Sequence, residues 1–170
     1  MMRQRRKATE AEAHALASGI RLRIIRLTYA DALTNKELAQ RLGRDPATTL
    51  HHVRKLVDTG FLAAQPARRG ARGAKEIPYL STGLSWQLGL DDHQPVRAAM
   101  LEAFLAEVAE IPEQDFENLD QTRLVLRLEP EQRVEFSERL GELLEEFLAK
   151  ESPEPDAERT AVYFALYPSR

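Results

Sequence analysis

The stretch between residues 34 and 60 predicts two helices joined by a tight turn, and no other feature constrains the fold of this chain as strongly. Thr34 and Glu37 have the spacing of a capping box, in which the two side chains satisfy the free amide groups at a helix start. Gly43 is predicted to end this short helix, which covers residues 35–42, because glycine readily adopts the left-handed conformation found at helix C-termini.

The second helix of the pair is predicted over residues 46–58. Asp45 provides an N-cap side chain, and Pro46 suits the first helical position because the amide hydrogen that proline lacks has no partner there. Gly60 closes this helix. The turn between the two helices is therefore only a few residues long, as in a helix-turn-helix.

A basic hairpin is predicted after the pair, and a longer helix before it. Residues 61–65 and 77–81 are predicted strands, and residues 66–76 between them are rich in glycine and arginine. The first helix is predicted from residue 9 to about residue 31, since apolar residues recur at helical intervals. The order helix, short helix, turn, longer helix and hairpin defines a winged helix-turn-helix, and the predicted fold class is α+β, mainly α.

The helix over residues 46–58 has one apolar face and one polar face. At about 100° per residue, a single arc holds the residues predicted to be buried, which are Thr49, Leu50, Val53, Leu56 and Val57. The opposite arc holds hydroxyl, imidazole and cationic groups, which suit the base edges and phosphates of a DNA major groove. The residues predicted to face DNA are Thr48, His51, Arg54 and Lys55.

The loop of the hairpin carries four cations among glycines and alanines, and they are Arg68, Arg69, Arg72 and Lys75. Cations on such a loop can reach phosphates or a minor groove, so this wing is predicted to grip the DNA backbone. The start of the chain is also basic, with Arg3, Arg5, Arg6 and Lys7. This segment is either a disordered arm that adds phosphate contacts or a solvated tail.

The charge of the chain is divided between its halves. Residues 1–82 hold 16 Lys and Arg against 7 Asp and Glu, a net charge of +9, whereas residues 83–170 have a net charge of −12. A basic half attracts a polyanion and an acidic half repels one. We therefore expect double-stranded DNA to bind the N-terminal half and a different role for the C-terminal half.

Three segments of the N-terminal half form a recognisable combination, and they are ALASGIRLRIIRL at 15–27, TNKELAQRLG at 34–43 and PATTLHHVRKLVDTGFL at 46–62. Together they resemble the ArsR-type winged helix-turn-helix transcriptional regulators, most closely the branch with an extended C-terminal region. The resemblance implies a homodimer that binds a two-fold symmetric operator through two recognition helices, and it implies repression of transcription. It also implies that Thr48, His51, Arg54 and Lys55 face the DNA.

This sequence departs from the ArsR pattern at two places. Leu50 stands where these proteins often have a small polar residue, although the nearby His52 agrees with the pattern and matches their usual histidine. The thiolate sensor is absent, because the chain has no cysteine. Metal sensing through cysteine is therefore excluded.

The C-terminal half is predicted to dimerise the chain and to carry strand-helix-strand structure. Residues 83–94 form a linker, and residues 95–170 form the C-terminal region, with strands at 123–128 and 160–167 around an amphipathic helix. A small-molecule effector is an open alternative, with a pocket lined by aromatic residues. They are Trp86, Phe104, Phe136 and Tyr163.

Several other functions find no support in the sequence. No apolar run is long enough for a membrane helix and no signal peptide is visible, so a cytoplasmic protein is expected. Neither a catalytic triad nor a phosphate-binding loop is present, and no enzyme, cofactor or metal is predicted. The group Asp91, Asp92 and His93 is interpreted as a helix-capping turn rather than a metal site. A winged helix that docks a protein instead of DNA is the alternative function.

Overall fold

The computed structural model describes residues 5–70, 73–90, 93–152, 154 and 157–169. The chain divides into two compact units, of which the first spans residues 5–112 and the second includes the described residues beyond 112. The assignment of 1–82 to DNA binding, 83–94 to a linker and 95–170 to dimerisation stays a prediction about function. The first unit itself extends through residue 112.

Five helices form most of the first unit. They are α1 (Glu10–Leu16), α2 (Gly19–Leu27), α3 (Asn35–Arg41), α4 (Pro46–Asp58) and α5 (Gln94–Val108). The capping box predicted at Thr34 is confirmed, and Thr9 forms another at the start of α1, since both side chains accept from the backbone of the glutamate three residues later. The single first helix predicted from the sequence is wrong, because Ser18 is extended and separates α1 from α2.

Among the described residues of the first unit, seven short strands accompany these helices. They are β1 (Arg6–Lys7), β2 (Leu33–Thr34), β3 (Leu62–Ala64), β4 (Arg68–Arg69), β5 (Lys75–Glu76), β6 (Pro78–Ser81) and β7 (Leu88–Gly89). Strands β2, β6 and β3 form an antiparallel sheet with β6 in the centre, and β4 pairs with β5 beyond it. The predicted hairpin is confirmed, and β2 adds a third strand that the sequence did not predict.

The core of the first unit draws on every helix and on both sides of the predicted linker. Its fully buried large side chains include Leu16, Ile24, Leu38, Leu56, Phe61, Leu88 and Val96. Leu88 lies within the predicted linker, so this segment contributes to the core, and a one-turn 3₁₀ helix at Leu84–Gln87 precedes it. Helix α5 packs on α2, where Arg23 Nη2 lies 2.5 Å from a carboxylate oxygen of Glu110.

The second unit contains a 3₁₀ helix, Glu113–Asn118, and the helix α6 (Pro130–Ala149). The strands predicted at 123–128 and 160–167 are not found, because neither segment pairs with another strand among the described residues. A strand needs a partner backbone and a surface that buries its apolar face. Here Val125 is 72% exposed and Val162 is 67% exposed, although Phe136 and Phe164 place their ring centroids 6.2 Å apart.

Candidate nucleic-acid interface

Helix α4 presents one buried face and one exposed face, as the sequence predicts. Thr49, Val53 and Leu56 are almost completely buried, and Leu50 and Val57 are half-buried. The residues on the opposite face divide into two groups. Thr48, His51 and Arg54 are exposed, whereas Lys55 is half-buried in the last turn of the helix.

Two contacts fix the N-terminal turn of α4. The carboxylate of Asp45 accepts hydrogen bonds from the backbone amides of Ala47 at 2.9 Å and Thr48 at 3.1 Å, which completes the predicted N-cap. Asn35 Nδ2 donates to the carbonyl oxygen of Pro46 at 2.9 Å and joins the start of α3 to the start of α4. The first exposed turn of α4, where Thr48 lies, is therefore held in a defined position.

His52 lies at the boundary between the two faces of α4 and is half-buried. Its Nδ1 atom is buried and has no hydrogen-bond partner among the described residues. Burial lowers the pKa of His52, and the positive charges of Arg21, His51 and Arg44 lower it further. At neutral pH the imidazole is therefore uncharged and adds nothing to the positive potential of this surface.

The wing, defined as residues 66–76, carries its described cations on the ladder between β4 and β5. Arg68 pairs with Glu76 and Arg69 with Lys75, and the amide of Gly70 donates to the carbonyl of Ala74 at 2.7 Å. Gly73 has a φ of 77°, which favours glycine at this turn. Arg69 and Lys75 are exposed, while the predicted contact residue Arg72 lies outside the described residues.

Arg68 is engaged within the protein, which the sequence did not predict. Its Nη2 donates to Oε1 of Glu37 on α3, and its Nε lies 3.8 Å from Oε2 of Glu76. The backbone amide of Thr34 lowers the pKa of Glu37, and the Thr34 hydroxyl and the Arg68 guanidinium lower it further. No local pattern indicates this pair, because 31 positions separate the two residues.

The basic N-terminal segment is also partly engaged in the described structure. Arg6 forms a two-pronged ion pair with Glu12, with nitrogen-to-oxygen distances of 2.8 and 2.5 Å. The guanidinium carbon of Arg5 lies 4.2 Å from the ring centroid of Trp86, a cation–π contact. These two arginines therefore do not form a disordered arm, and Arg3 lies outside the described residues.

Neither a metal-binding cluster nor a membrane-spanning helix is found in the described part of the chain. No three His, Asp or Glu side chains are grouped to hold a metal ion there, and no helix is both long and apolar enough to span a bilayer. His93 directly precedes α5, while Asp91 and Asp92 lie outside the described residues.

The comparisons with known proteins identify one domain. Residues 16–64 match a family model described as a helix-turn-helix domain, which is less than half of the chain. No curated protein matches the chain. The segment matched includes α2, α3, α4 and β3, so the region that presents Thr48, His51 and Arg54 belongs to a helix-turn-helix domain.

Several solved structures are similar to the chain at low identity. An apo double mutant of ZitR from Lactococcus lactis is 20% identical, with 77% of this chain and 83% of that chain covered and a TM-score of 0.35. The multiple antibiotic-resistance repressor MarR from Listeria monocytogenes is 16% identical, with 78% and 75% covered and a TM-score of 0.33. The zinc-dependent MarR-family regulator AdcR in its Zn(II)-bound state is 22% identical, with 76% and 74% covered and a TM-score of 0.33.

Proposed function

We propose that this chain is a sequence-specific DNA-binding transcriptional regulator, a homodimeric repressor of the ArsR type. The observation that carries the proposal is the exposed face of α4, where Thr48, His51 and Arg54 stand opposite the buried Thr49, Val53 and Leu56. A helix with this arrangement, inside a helix-turn-helix domain and followed by a basic wing, fits the major groove of DNA. The net charge of +9 over residues 1–82 supports attraction to DNA.

In this proposal the exposed residues of α4 read base edges, and the wing contacts the DNA backbone. Thr48 and His51 lie nearest the helix N-terminus, where side chains reach bases in helix-turn-helix complexes. Arg54 and Lys55 follow toward the C-terminus, and the exposed Arg69 and Lys75 serve phosphates or a minor groove. Arg72 belongs to the same group by its position in the sequence.

The test is fluorescence anisotropy of labelled DNA from upstream of the protein's own gene, titrated at several salt concentrations beside a scrambled duplex. Tight binding that prefers the native fragment and weakens steeply with salt supports the proposal. Lys55→Ala is expected to weaken binding and to reduce the salt slope by about 0.9, as loss of one phosphate contact would. The matched control is Arg139→Ala, which removes an exposed cation of α6. Absence of binding at low salt contradicts the proposal and favours a protein-docking winged helix.

We propose that the second unit dimerises the chain. The support is its exposed apolar surface, which includes Val134, Leu143 and Phe147 on α6. Exposed apolar groups in this number are typical of an interface that another surface covers. Sedimentation equilibrium is expected to show a dimer that Leu143→Asp dissociates, whereas Arg139→Ala leaves it intact. A monomer at all concentrations contradicts this part of the proposal.

We further propose that a small-molecule effector regulates DNA binding, as the sequence suggests. An effector that binds the repressor with different affinities in its two states would shift DNA binding by the ratio of those affinities.

A further inference from the structure

One carboxylate on α3 holds both a helix start and the wing. Oε2 of Glu37 accepts from the backbone amide of Thr34 at 2.7 Å and from its hydroxyl at 2.9 Å, and thereby completes the capping box of α3. Oε1 of the same carboxylate accepts from Nη2 of Arg68 on β4. Because the cap fixes the Glu37 side chain, Arg68 is held at a defined place relative to the helix-turn-helix.

Arg68 stands between two acids, unlike the other described cations of the wing. Glu76 faces it across the β4–β5 ladder with its Oε2 atom 3.8 Å from Nε, and Glu37 engages it from α3. The two carboxylates compete with a DNA phosphate for this guanidinium, although the Arg68 side chain is 45% exposed. Arg69 and Lys75, one position further along the ladder, are also exposed to solvent.

We propose that Glu37 is a positioning residue, which fixes the wing relative to the helix-turn-helix through Arg68. In this role Arg68 is a strut, that is, a structural link between β4 and α3 rather than a DNA contact. The proposal rests on the proposed function, since the position of the wing matters only if the wing meets DNA. It replaces the role predicted for Arg68 from the sequence. Arg69 and Lys75 keep the role predicted for them, which is contact with the DNA backbone.

The substitution Glu37→Gln separates the two roles of the carboxylate. Glutamine still closes a capping box, so the start of α3 is retained, but the negative charge that holds Arg68 is lost. Removal of an acid from a DNA-binding surface ordinarily strengthens binding to a polyanion. The strut predicts the opposite sign, a loss of DNA affinity of about fivefold with an unchanged salt slope, as expected for a lost ion pair of about 1 kcal/mol.

The chain contains a matched control for this substitution. Glu12 occupies the same position in the capping box of α1, where its Oε2 accepts from the amide of Thr9 at 2.8 Å and from the Thr9 hydroxyl at 3.0 Å, and it also pairs with Arg6. Glu12→Gln therefore removes the same charge from the same kind of site without touching the wing. It is expected to leave DNA affinity unchanged.

The experiment measures the wing both without and with DNA. In the free protein, the heteronuclear ¹⁵N NOE of the Gly70 and Lys75 amides is expected to fall in Glu37→Gln and in Arg68→Gln but not in Glu12→Gln. Anisotropy titrations then compare DNA affinity for the same variants and the double variant Glu37→Gln/Arg68→Gln. A strut predicts that the double variant binds no more weakly than either single variant.

Two results would overturn the proposal. The first is an unchanged ¹⁵N NOE in Glu37→Gln, which would mean that the ion pair does not hold the wing. The second is tighter DNA binding by Glu37→Gln together with a salt slope reduced by about 0.9 in Arg68→Gln, which would mark a direct phosphate contact. If neither the parent protein nor any variant binds DNA, the proposed function fails, and the NOE comparison still decides whether Glu37 positions the wing.

Discussion

The two compact units treat similar apolar side chains in opposite ways. In residues 5–112 many large apolar groups form one core, in which Phe61 is only 1% exposed, although Met100, Leu101 and Leu105 on α5 remain exposed. In the second unit, Phe147 on α6 is 62% exposed, and Leu143 and Val134 are also largely exposed. The first unit thus forms a closed core within one chain, whereas no described residue of the second unit is fully buried.

Charged side chains show the same contrast. Arg23 on α2 is only 8% exposed and is paired with Glu110, which follows α5. On α6 the ion pair between Arg139 and Glu135 joins residues four positions apart, and both partners are well exposed to solvent. The ion pair of Arg23 therefore fixes a tertiary contact, while that of Arg139 lies along one helix. Substitutions in the two units test this difference, beginning with the largest expected effect.

The contrast between the cores is tested with Phe61→Ala and Phe147→Ala. We expect Phe61→Ala to lower the free energy of unfolding by about 3–5 kcal/mol, because it leaves a cavity in a closed core. Phe147→Ala is expected to cost less than about 0.5 kcal/mol in the monomer, as for exposed positions in general. Trp86 is the only tryptophan and lies in the first unit, so urea unfolding followed by its fluorescence reports on that unit, and circular dichroism reports on both.

Equal costs for the two phenylalanine substitutions would remove the contrast. A large cost for Phe147→Ala that grows with protein concentration would instead show that a second copy covers α6. Measurement at two concentrations separates these results.

The contrast between the ion pairs is tested with Glu110→Ala. We expect this substitution to lower the free energy of unfolding by about 2–3 kcal/mol, because the buried guanidinium of Arg23 loses both carboxylate oxygens. The loss is smaller than for a fully buried pair, since Glu110 is itself partly solvated. Arg23→Met combined with Glu110→Ala is expected to recover part of this loss, since no buried charge then lacks a partner. If the double variant is as unstable as the sum of the single variants, Arg23 does not depend on Glu110.

The pH dependence of the first unit is tested with Glu12→Gln. The Arg6 guanidinium lowers the pKa of Glu12 from 4.5 to about 2, and hydrogen bonds from Thr9 add to this shift. A carboxyl group with a lowered pKa stabilises the fold above its unfolded pKa, and this stabilisation is lost as the pH falls through the folded pKa. At pH 7 we expect Glu12→Gln to cost about 1–2 kcal/mol, as for hydrogen bonds to charged groups.

The difference in the free energy of unfolding between the parent protein and Glu12→Gln should therefore shrink as the pH falls from 4.5 to about 2. Urea midpoints from Trp86 fluorescence at several pH values measure it. Glu10→Gln is the matched control, because that glutamate is exposed in the first turn of the same helix. A constant difference over the whole pH range would mean that the charge of Glu12 does not stabilise the fold.

The sequence predicts those parts of the first unit that depend on local signals. The bounds of α3 and α4 follow from Thr34 with Glu37 and from Asp45 with Pro46, whose side chains act on their own helix starts. The burial of Thr49, Val53 and Leu56 follows from helical periodicity alone. The exposed face of α4, which is the centre of the candidate interface, is therefore predictable from the order of its residues.

Features that depend on distant contacts could not be predicted in this way. Helix α5 packs on α2, although the chain between them includes the whole helix-turn-helix and the hairpin. The ion pair between Glu37 on α3 and Arg68 on β4 also joins distant positions of the chain, so the engagement of this predicted DNA contact could not be foreseen. The segments 123–128 and 160–167 alternate as strands do, but strand formation also needs a partner backbone that the described chain does not provide.

The smallest predicted effect comes from Arg139→Ala, which removes one partner of the exposed pair on α6. Its Nη1 atom lies 3.5 Å from Oε1 of Glu135, and its side chain is 76% exposed. An exposed pair four positions apart stabilises a helix by about 0.3–0.5 kcal/mol, so its loss should stay within that range and become smaller in high salt. Circular dichroism at 222 nm during urea unfolding measures the change for α6, while Trp86 fluorescence should not change. A cost above about 1 kcal/mol would exceed what a solvated pair provides. Such a cost would mean that Arg139 makes a further contact across a surface that another copy covers, and the contrast between the two units would then be a property of the single chain only.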